Sequence, residues 1–244
     1  MIFRLPTCFS AALLLAALPA LAANLNGRVQ IAAPAAKSLE GIAVWLTPVQ
    51  GKAPAPAIQT HRVIQKAKRF MPHVSVIGVG SSVDWPNLDP IFHNAFSNFA
   101  GQPFDTGLYP PGGTQRIRFM REGVVRVFCN IHSSMSAVIV VVPSPWFTAT
   151  RADGTFSLGD VPPGEYLLKV WHERAPENSL RSSERRLTVT GDTATLDPIA
   201  IQESGFAAPP PHKNKYGQDY PPEPPARAGY EQQPSAVAPR SRAK

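Results

Sequence analysis

Cysteine is scarce in this chain, which carries two cysteines among 244 residues. Cys8 lies in an apolar segment near the N-terminus, and Cys129 lies in the middle of the chain. If the apolar segment is removed on export, Cys129 stands alone and a disulfide within one chain is excluded. An odd cysteine in an exported protein is an accident, an intermolecular bridge, or a dedicated ligand or reactive thiol.

The chain also lacks a long apolar run beyond its N-terminal segment. That segment begins with Arg4, continues through an apolar core over residues 11–18, and ends in Ala20-Leu21-Ala22, which fits the small-residue cleavage rule. The apolar core is shorter than the ~20 residues that a membrane span needs. We therefore predict a signal peptide over residues 1–22, a periplasmic or secreted location, and no integral membrane segment. An uncleaved anchor is the alternative.

A large excess of charge of one sign is missing as well. The formal net charge is +7, and the C-terminal residues 205–244 contribute part of it. The remaining charge is too small to indicate a nucleic-acid partner, and an acidic protein partner or an anionic surface suits it better.

The sequence is rich in the residue types that favour short strands and turns. The 27 prolines and 17 glycines, among many valine, threonine and phenylalanine residues, favour strands and turns over long helices. Strand-like runs separated by turns predict an all-β chain with an N-terminal strand pair in residues 24–50, one unit over residues 61–143 and a small antiparallel sandwich over residues 144–203. Residues 205–244 hold nine prolines and neither leucine nor isoleucine, so a disordered tail is expected.

The segment Cys129–Met135 lies between two strand-like runs, residues 123–128 and 137–142. It places a thiol, an imidazole at His132 and a thioether on one short loop. A thiolate, imidazoles and a weak thioether are the ligands of a blue-copper electron-transfer site, and His93 can supply the second imidazole. Val125, Val127 and Cys129 recur at a spacing of two, so Cys129 should point inward with the valines. The pattern predicts one copper ion held by His93, Cys129, His132 and Met135.

Other interpretations of these residues remain open. A buried cysteine is often a small apolar filler, and a single histidine or methionine near a strand end is often packing. Zinc accepts cysteine and histidine, although a thioether is a poor zinc ligand. A Cys–His nucleophile lacks an evident third orienting group. We therefore expect no independent enzyme activity.

Four further histidines are weaker candidates for metal binding. Three of them lie on strand-like runs and the fourth lies in the tail: His61, His73, His172 and His212. Asn94 and Asn130 adjoin the candidate ligands and could hold the two loops together by hydrogen bonds.

Residues 61–143 resemble the cupredoxins, especially plastocyanin and amicyanin, which share the Cys-x2-His-x2-Met spacing of Cys129, His132 and Met135 and an upstream His-Asn pair like His93-Asn94. The segments 86–94, 129–132 and 171–173 are similar to exported methylamine utilization proteins. That resemblance implies a cupredoxin-like Greek-key β-sandwich joined to a transthyretin-like, carboxypeptidase regulatory-like β-sandwich, matched by residues 153–156 and 161–166. It further implies electron transfer linked to amine oxidation, with an amine dehydrogenase or a cytochrome c as partner.

The regulatory-like sandwich usually starts with a Gly-x-Val strand followed by an apolar strand, and residues 27–46 supply such a pair. The first unit is then inserted into the second, and pairing of Val44 with a strand after residue 144 would support this arrangement. Three functions remain open: electron transfer, copper carriage with the sandwich as a docking platform, and a structural module without metal.

Overall fold

The computed structural model describes residues 22–31, 38–98, 101–203 and 212–220, and this part of the chain is all-β apart from one short helix, α1 Glu177–Ser182. The predicted signal peptide lies outside the described residues except for Ala22. In chain order the strands are β1 Ala23–Ile31, β2 Ala43–Pro48, β3 Thr60–Arg62, β4 Ile64–Lys66, β5 Arg69–Met71, β6 Val74–Gly78, β7 Ser82–Pro86, β8 Phe96–Ser97, β9 Phe104–Asp105, β10 Thr114–Arg118, β11 Gly123–Phe128, β12 Ser136–Val142, β13 Phe147–Ala149, β14 Thr155–Val161, β15 Gly164–Trp171, β16 Arg185–Val189, β17 Ala194–Thr195 and β18 Ile199–Ile201.

The first sandwich is formed by the middle of the chain. One sheet has the order β6-β12-β11-β8-β9, the other has the order β10-β7-β3, and β4 and β5 form a separate hairpin. Side chains from both sheets and from the hairpin share one buried cluster, which includes Phe70, Trp85, Val127 and Ile139. Val125, Val127 and Cys129 belong to this cluster, as their spacing of two predicts.

Strand β12 is buried on both faces, which accounts for its unbroken apolar sequence. Ala137, Ile139 and Val141 point into the first core. The alternate residues Val138 and Val140 belong to a second buried cluster on the other face of the same sheet. Successive side chains of a strand point to opposite faces of the sheet. Because both faces of β12 are covered, both sets of side chains are apolar.

The second sandwich is built from the two strands at the start of the chain, β1 and β2, and from strands that follow the first sandwich in sequence. One sheet has the order β13-β2-β15-β16, and the other is built around β1, which pairs with β14, β17 and β18. Within the first of these sheets Val44 lies opposite Val170. The N-terminal strands therefore pair with strands that follow the first sandwich in sequence, which is the pairing that an inserted unit requires.

The two sandwiches are in contact through the outer face of the β6–β12 sheet. Val76, Val138 and Val140 pack there with Ala43 of β2 and with the partly buried Trp171 of β15. Beside this apolar contact, Glu173, which follows β15 of the second sandwich, bonds two residues of the first sandwich. Its carboxylate lies 2.6 Å from His73 Nε2 and 3.1 Å from Arg126 Nη1. The contact therefore combines an apolar centre with an ion-paired edge.

Helix α1 lies between β15 and β16, in a stretch for which the sequence predicted no element. The tail is expected to be disordered from residue 205, and most of it lies outside the described residues, but residues 212–220 are described and contact the first sandwich. Among the described residues, no helix combines the length and apolar character needed to cross a bilayer.

Candidate metal centre

The loop between β11 and β12 is closed by its own backbone. The Cys129 N–H donates to the Met135 carbonyl at 3.2 Å, and the Met135 N–H donates to the His132 carbonyl at 3.2 Å. Both bonds form because β11 and β12 are adjacent antiparallel strands, so the loop between them must reverse the chain. Cys129 and Met135 are fully buried, and His132 is 9% exposed.

His93 reaches the same point from the loop that follows β7. It forms an isolated bridge with Tyr109: the His93 N–H donates to the Tyr109 carbonyl at 3.3 Å and the reverse bond measures 2.9 Å. These two bonds anchor the backbone of His93 independently of its side chain. The imidazole is completely buried.

Three of the four predicted ligands lie together. Cys129 Sγ is 3.8 Å from His93 Nδ1 and 3.6 Å from His132 Nδ1. One ligand atom from each of His93, Cys129 and His132 lies within 4.8 Å of the others, which is the spacing of groups that share one metal ion. Met135 belongs to the same buried cluster as Cys129.

Asp89 is the residue that orients His93. Its Oδ2 lies 2.7 Å from His93 Nε2, which leaves Nδ1 facing Cys129. Burial alone would raise the pKa of Asp89, but hydrogen bonds from the Lys68 N–H, from His93 and from the Ala67 N–H lower its pKa below the ordinary value. The carboxylate is therefore ionised and acts as an acceptor.

The turn between β4 and β5 is shaped to hold this carboxylate. The Ala67 and Lys68 N–H groups donate to Asp89 at 2.6 and 2.9 Å. Both residues have φ of 53°, a left-handed conformation that costs a non-glycine residue about 1–2 kcal/mol. Two hydrogen bonds to a charged acceptor contribute about 1.5–3 kcal/mol each and offset that cost.

Asn94 links the two ligand loops, as proposed from its position beside His93. Its Oδ1 accepts the Asn130 N–H at 2.6 Å, and its Nδ2 donates to Asp105 at 3.0 Å. Because Asn94 follows His93 and Asn130 follows Cys129, this contact fixes the separation of the two ligands.

The donor set fits a copper ion. Burial raises the pKa of the Cys129 thiol, and the backbone N–H groups of Asn94, Ile131 and His132 oppose the rise. A metal that binds thiolate strongly is needed to deprotonate such a thiol. Sulfur and imidazole donors suit copper in both oxidation states, and a thioether in the loop favours copper over zinc.

The other histidines are not part of this group of ligand atoms. His73 Nε2 lies 2.6 Å from Glu173 and His172 Nε2 lies 2.8 Å from Glu203, so each imidazole is hydrogen-bonded to a carboxylate outside the candidate site. His61 lies on β3. His212 packs its ring against Phe128, beside the metal loop.

Two contributors to the site were missed in the sequence. Asp89 lies four residues before His93, and an acidic residue so near a candidate ligand is a usable signal for an orienting partner. The contact between Tyr220 and the Cys129 carbonyl has no such signal, because Tyr220 follows a proline-rich stretch far along the chain.

Comparisons with known proteins give matches among solved structures. A Cu-containing nitrite reductase from Thermus scotoductus SA-01 is 29% identical over 39% of this chain and 25% of its own, with a TM-score of 0.33. A purple cupredoxin from Nitrosopumilus maritimus is 24% identical over 34% of this chain and 99% of its own, with a TM-score of 0.31. A mutant amicyanin with Cu(I) is 18% identical over 34% of this chain and 82% of its own, with a TM-score of 0.32.

This chain thus spans a quarter of the length of the nitrite reductase that it matches. No protein-family profile matches the sequence, and no curated protein matches it.

Proposed function

We propose that this protein is an exported blue-copper protein of the cupredoxin type that transfers electrons. His93, Cys129 and His132 would hold one copper ion, with Met135 as a weak fourth ligand. The observation that carries the proposal is the group of His93, Cys129 and His132 ligand atoms within 4.8 Å of one another in a buried position. Copper bound there supplies a one-electron couple between its +1 and +2 states.

The chain's own residues orient the ligands and hold them in place. Asp89 holds the His93 proton on Nε2, so that the lone pair of Nδ1 would be available to a copper ion. The bonds that close the Cys129–Met135 loop and the Asn94 link keep the ligands in place before metal arrives. A ligand set that is held rigidly rearranges little when the metal changes oxidation state, and little rearrangement favours fast electron transfer.

Exposed apolar side chains support a protein partner at this end of the molecule. Four large apolar residues that are exposed directly precede residues of the site in sequence. They are Leu88 before Asp89, Phe92 before His93, Leu108 before Tyr109 and Ile131 before His132. An amine dehydrogenase or a cytochrome c in the periplasm is the partner that we propose, which links the protein to amine oxidation.

We also propose a division of the chain into domains. Residues 61–143 form the cupredoxin domain, and residues 24–50 join residues 144–203 in a regulatory-like sandwich. The pairing of β2 with β15 and of β1 with β14 supports this division.

Reconstitution with Cu(II) tests the copper proposal. The expected result is an intense visible absorption band from charge transfer between the Cys129 thiolate and Cu(II). Cys129→Ser should abolish the band, and Cys8→Ser should leave it unchanged, since Cys8 lies in the predicted signal peptide. A colourless protein under these conditions would exclude the electron-transfer function.

A copper carrier is the alternative that the same ligands allow. Reversible redox cycling without metal loss supports electron transfer, whereas rapid loss of Cu(I) to a competing chelator supports carriage. Both measurements are made on the same reconstituted sample.

A further inference from the structure

Residues 212–220 lie against the metal-binding loop at two consecutive positions. The Tyr220 hydroxyl donates to the Cys129 carbonyl at 2.6 Å. The Lys215 N–H donates to Asn130 Oδ1 at 2.9 Å. These residues are separated by more than eighty positions in sequence, so the contacts arise only because the tail folds back onto the first sandwich.

An aromatic cluster reinforces this contact. The His212 ring lies 4.2 Å from the Phe128 ring, with 31° between their planes, and 6.4 Å from the Phe96 ring. Tyr220 packs edge-on against His212 with ring centroids 5.2 Å apart. Phe128 directly precedes Cys129, so the tail covers the point where β11 delivers the thiol.

An ion pair joins the tail to the network that spaces the ligands. Lys215 Nζ lies 2.6 Å from Asp105 Oδ2, while Asp105 Oδ1 accepts the Asn94 amide at 3.0 Å. Asn94 in turn binds the Asn130 N–H. The tail therefore contacts both ends of the link between the His93 loop and the Cys129 loop.

We propose that residues 212–220 are an intramolecular cover of the metal centre, which must open before thiol reagents, metal acceptors or a protein partner reach Cys129 and His132. The cover's role toward copper rests on the proposed function, whereas its control of access to Cys129 does not. A few hydrogen bonds and ring contacts hold it, each worth little on its own, so the cover opens without unfolding of the sandwich. Because the segment stays covalently attached to the rest of the chain, its effective concentration near the site remains high after opening, which favours reclosing.

The test measures reaction of Cys129 with a disulfide thiol reagent in the metal-free full chain carrying Cys8→Ser, so that Cys129 is the one thiol. Tyr220→Phe removes the bond to the Cys129 carbonyl and keeps the ring. A net hydrogen-bond contribution of about 0.5–1.5 kcal/mol corresponds to labelling that is roughly twofold to twelvefold faster. Adding His212→Ala should accelerate labelling further.

Tyr216→Phe is the matched control, because Tyr216 lies in the same segment and is 71% exposed. Its labelling rate should equal that of the parent. Unchanged thermal stability of the variants shows that the sandwich stays folded. Equal labelling rates for the parent and for the Tyr220→Phe, His212→Ala double variant would overturn the cover.

A second measurement separates this proposal from the copper proposal. In the Cu(I)-loaded chain, Tyr220→Phe should transfer copper to a chelator faster by a similar factor. If labelling accelerates but reconstitution gives no charge-transfer band, the cover stands and the copper proposal fails. If the band forms and neither labelling nor copper transfer changes in the double variant, the cover fails and the copper proposal stands.

Discussion

The Nε2 atom of His93 lies 2.7 Å from Oδ2 of Asp89, and both side chains are buried. An ionised carboxylate only accepts hydrogen bonds, so it holds the His93 proton on Nε2. The lone pair of Nδ1 then faces Cys129 Sγ at 3.8 Å. Asp89 thus selects the form of His93 whose Nδ1 lone pair faces Cys129. The Ala67 and Lys68 N–H groups of the β4–β5 turn hold the Asp89 carboxylate in place.

Replacement of Asp89 by asparagine tests this selection. The amide keeps the size of the side chain but removes its charge and weakens its hold on His93 Nε2. Loss of such a partner typically lowers metal affinity about 10–100-fold. Copper affinity measured by competition with a chelator should fall by that factor.

Asp84→Asn is the matched control for this substitution. Asp84 lies on β7 and bonds Arg116 at the surface, at 2.6 and 2.8 Å. Its replacement should leave copper affinity unchanged. Equal affinities for Asp89→Asn and Asp84→Asn would show that Asp89 does not orient the ligand.

Met135→Leu separates the thioether from its packing. Leucine has a similar volume, so the buried position tolerates it at a cost of less than about 1.5 kcal/mol. The charge-transfer band should persist, and the reduction potential should rise, because loss of a donor destabilises Cu(II) more than Cu(I). A rise on the order of 59 mV corresponds to a tenfold change in relative affinity for the two states, and voltammetry measures it. An unchanged potential would remove Met135 from the ligand set.

The ion pair between His73 and Glu173 predicts a pH dependence of stability. A hydrogen bond to Glu173 raises the pKa of His73 above 6.5, and the same bond lowers the pKa of Glu173 below 4.5. The contribution is complete between about pH 4.5 and 6.5. It is lost as pH rises through the raised pKa of His73 and as pH falls through the lowered pKa of Glu173.

Urea unfolding of the parent and of His73→Gln measures this contribution. Because the His73 side chain is 47% exposed, the difference in unfolding free energy should be a few tenths to about 1 kcal/mol near pH 5.5 and should shrink as the pH rises through the raised pKa of His73. His61→Gln is the contrasting variant. Burial lowers the pKa of His61, so its effect on stability should change with pH in the opposite direction. A His73→Gln difference that is independent of pH would contradict the ion pair.

Substitution of Gly154 tests how closely the turn before β14 approaches the backbone of β1. Its φ is +83°, and a Cβ there would lie 2.4 Å from the Val29 carbonyl oxygen, which is backbone and cannot rotate away. Gly154→Ala should destabilise the fold by about 1–3 kcal/mol beyond the left-handed strain. Gly51→Ala has φ of +73° with open space around it, so it measures the strain alone. Equal unfolding free energies for the two variants would argue against the close approach of Val29.

Strand β12 could be predicted from the sequence, but the segment that covers its outer face could not. Its apolar residues predict a strand, and their spacing places alternate side chains on opposite faces. The reason that both faces are apolar is the second sandwich, whose Ala43 and Trp171 cover Val138 and Val140. A strand pattern carries no information about which distant segment covers its second face.

The sequence by itself determined the chemistry of the candidate site. Spacing within one loop brings Cys129, His132 and Met135 together, and the phase of β11 turns Cys129 inward, because both are local properties of a short chain segment. Only the tertiary structure decided that His93 is held by Asp89 and that Tyr220 lies on the Cys129 carbonyl. Those contacts depend on how sheets and loops close around one another, which residues distant in sequence settle jointly through burial and hydrogen bonding.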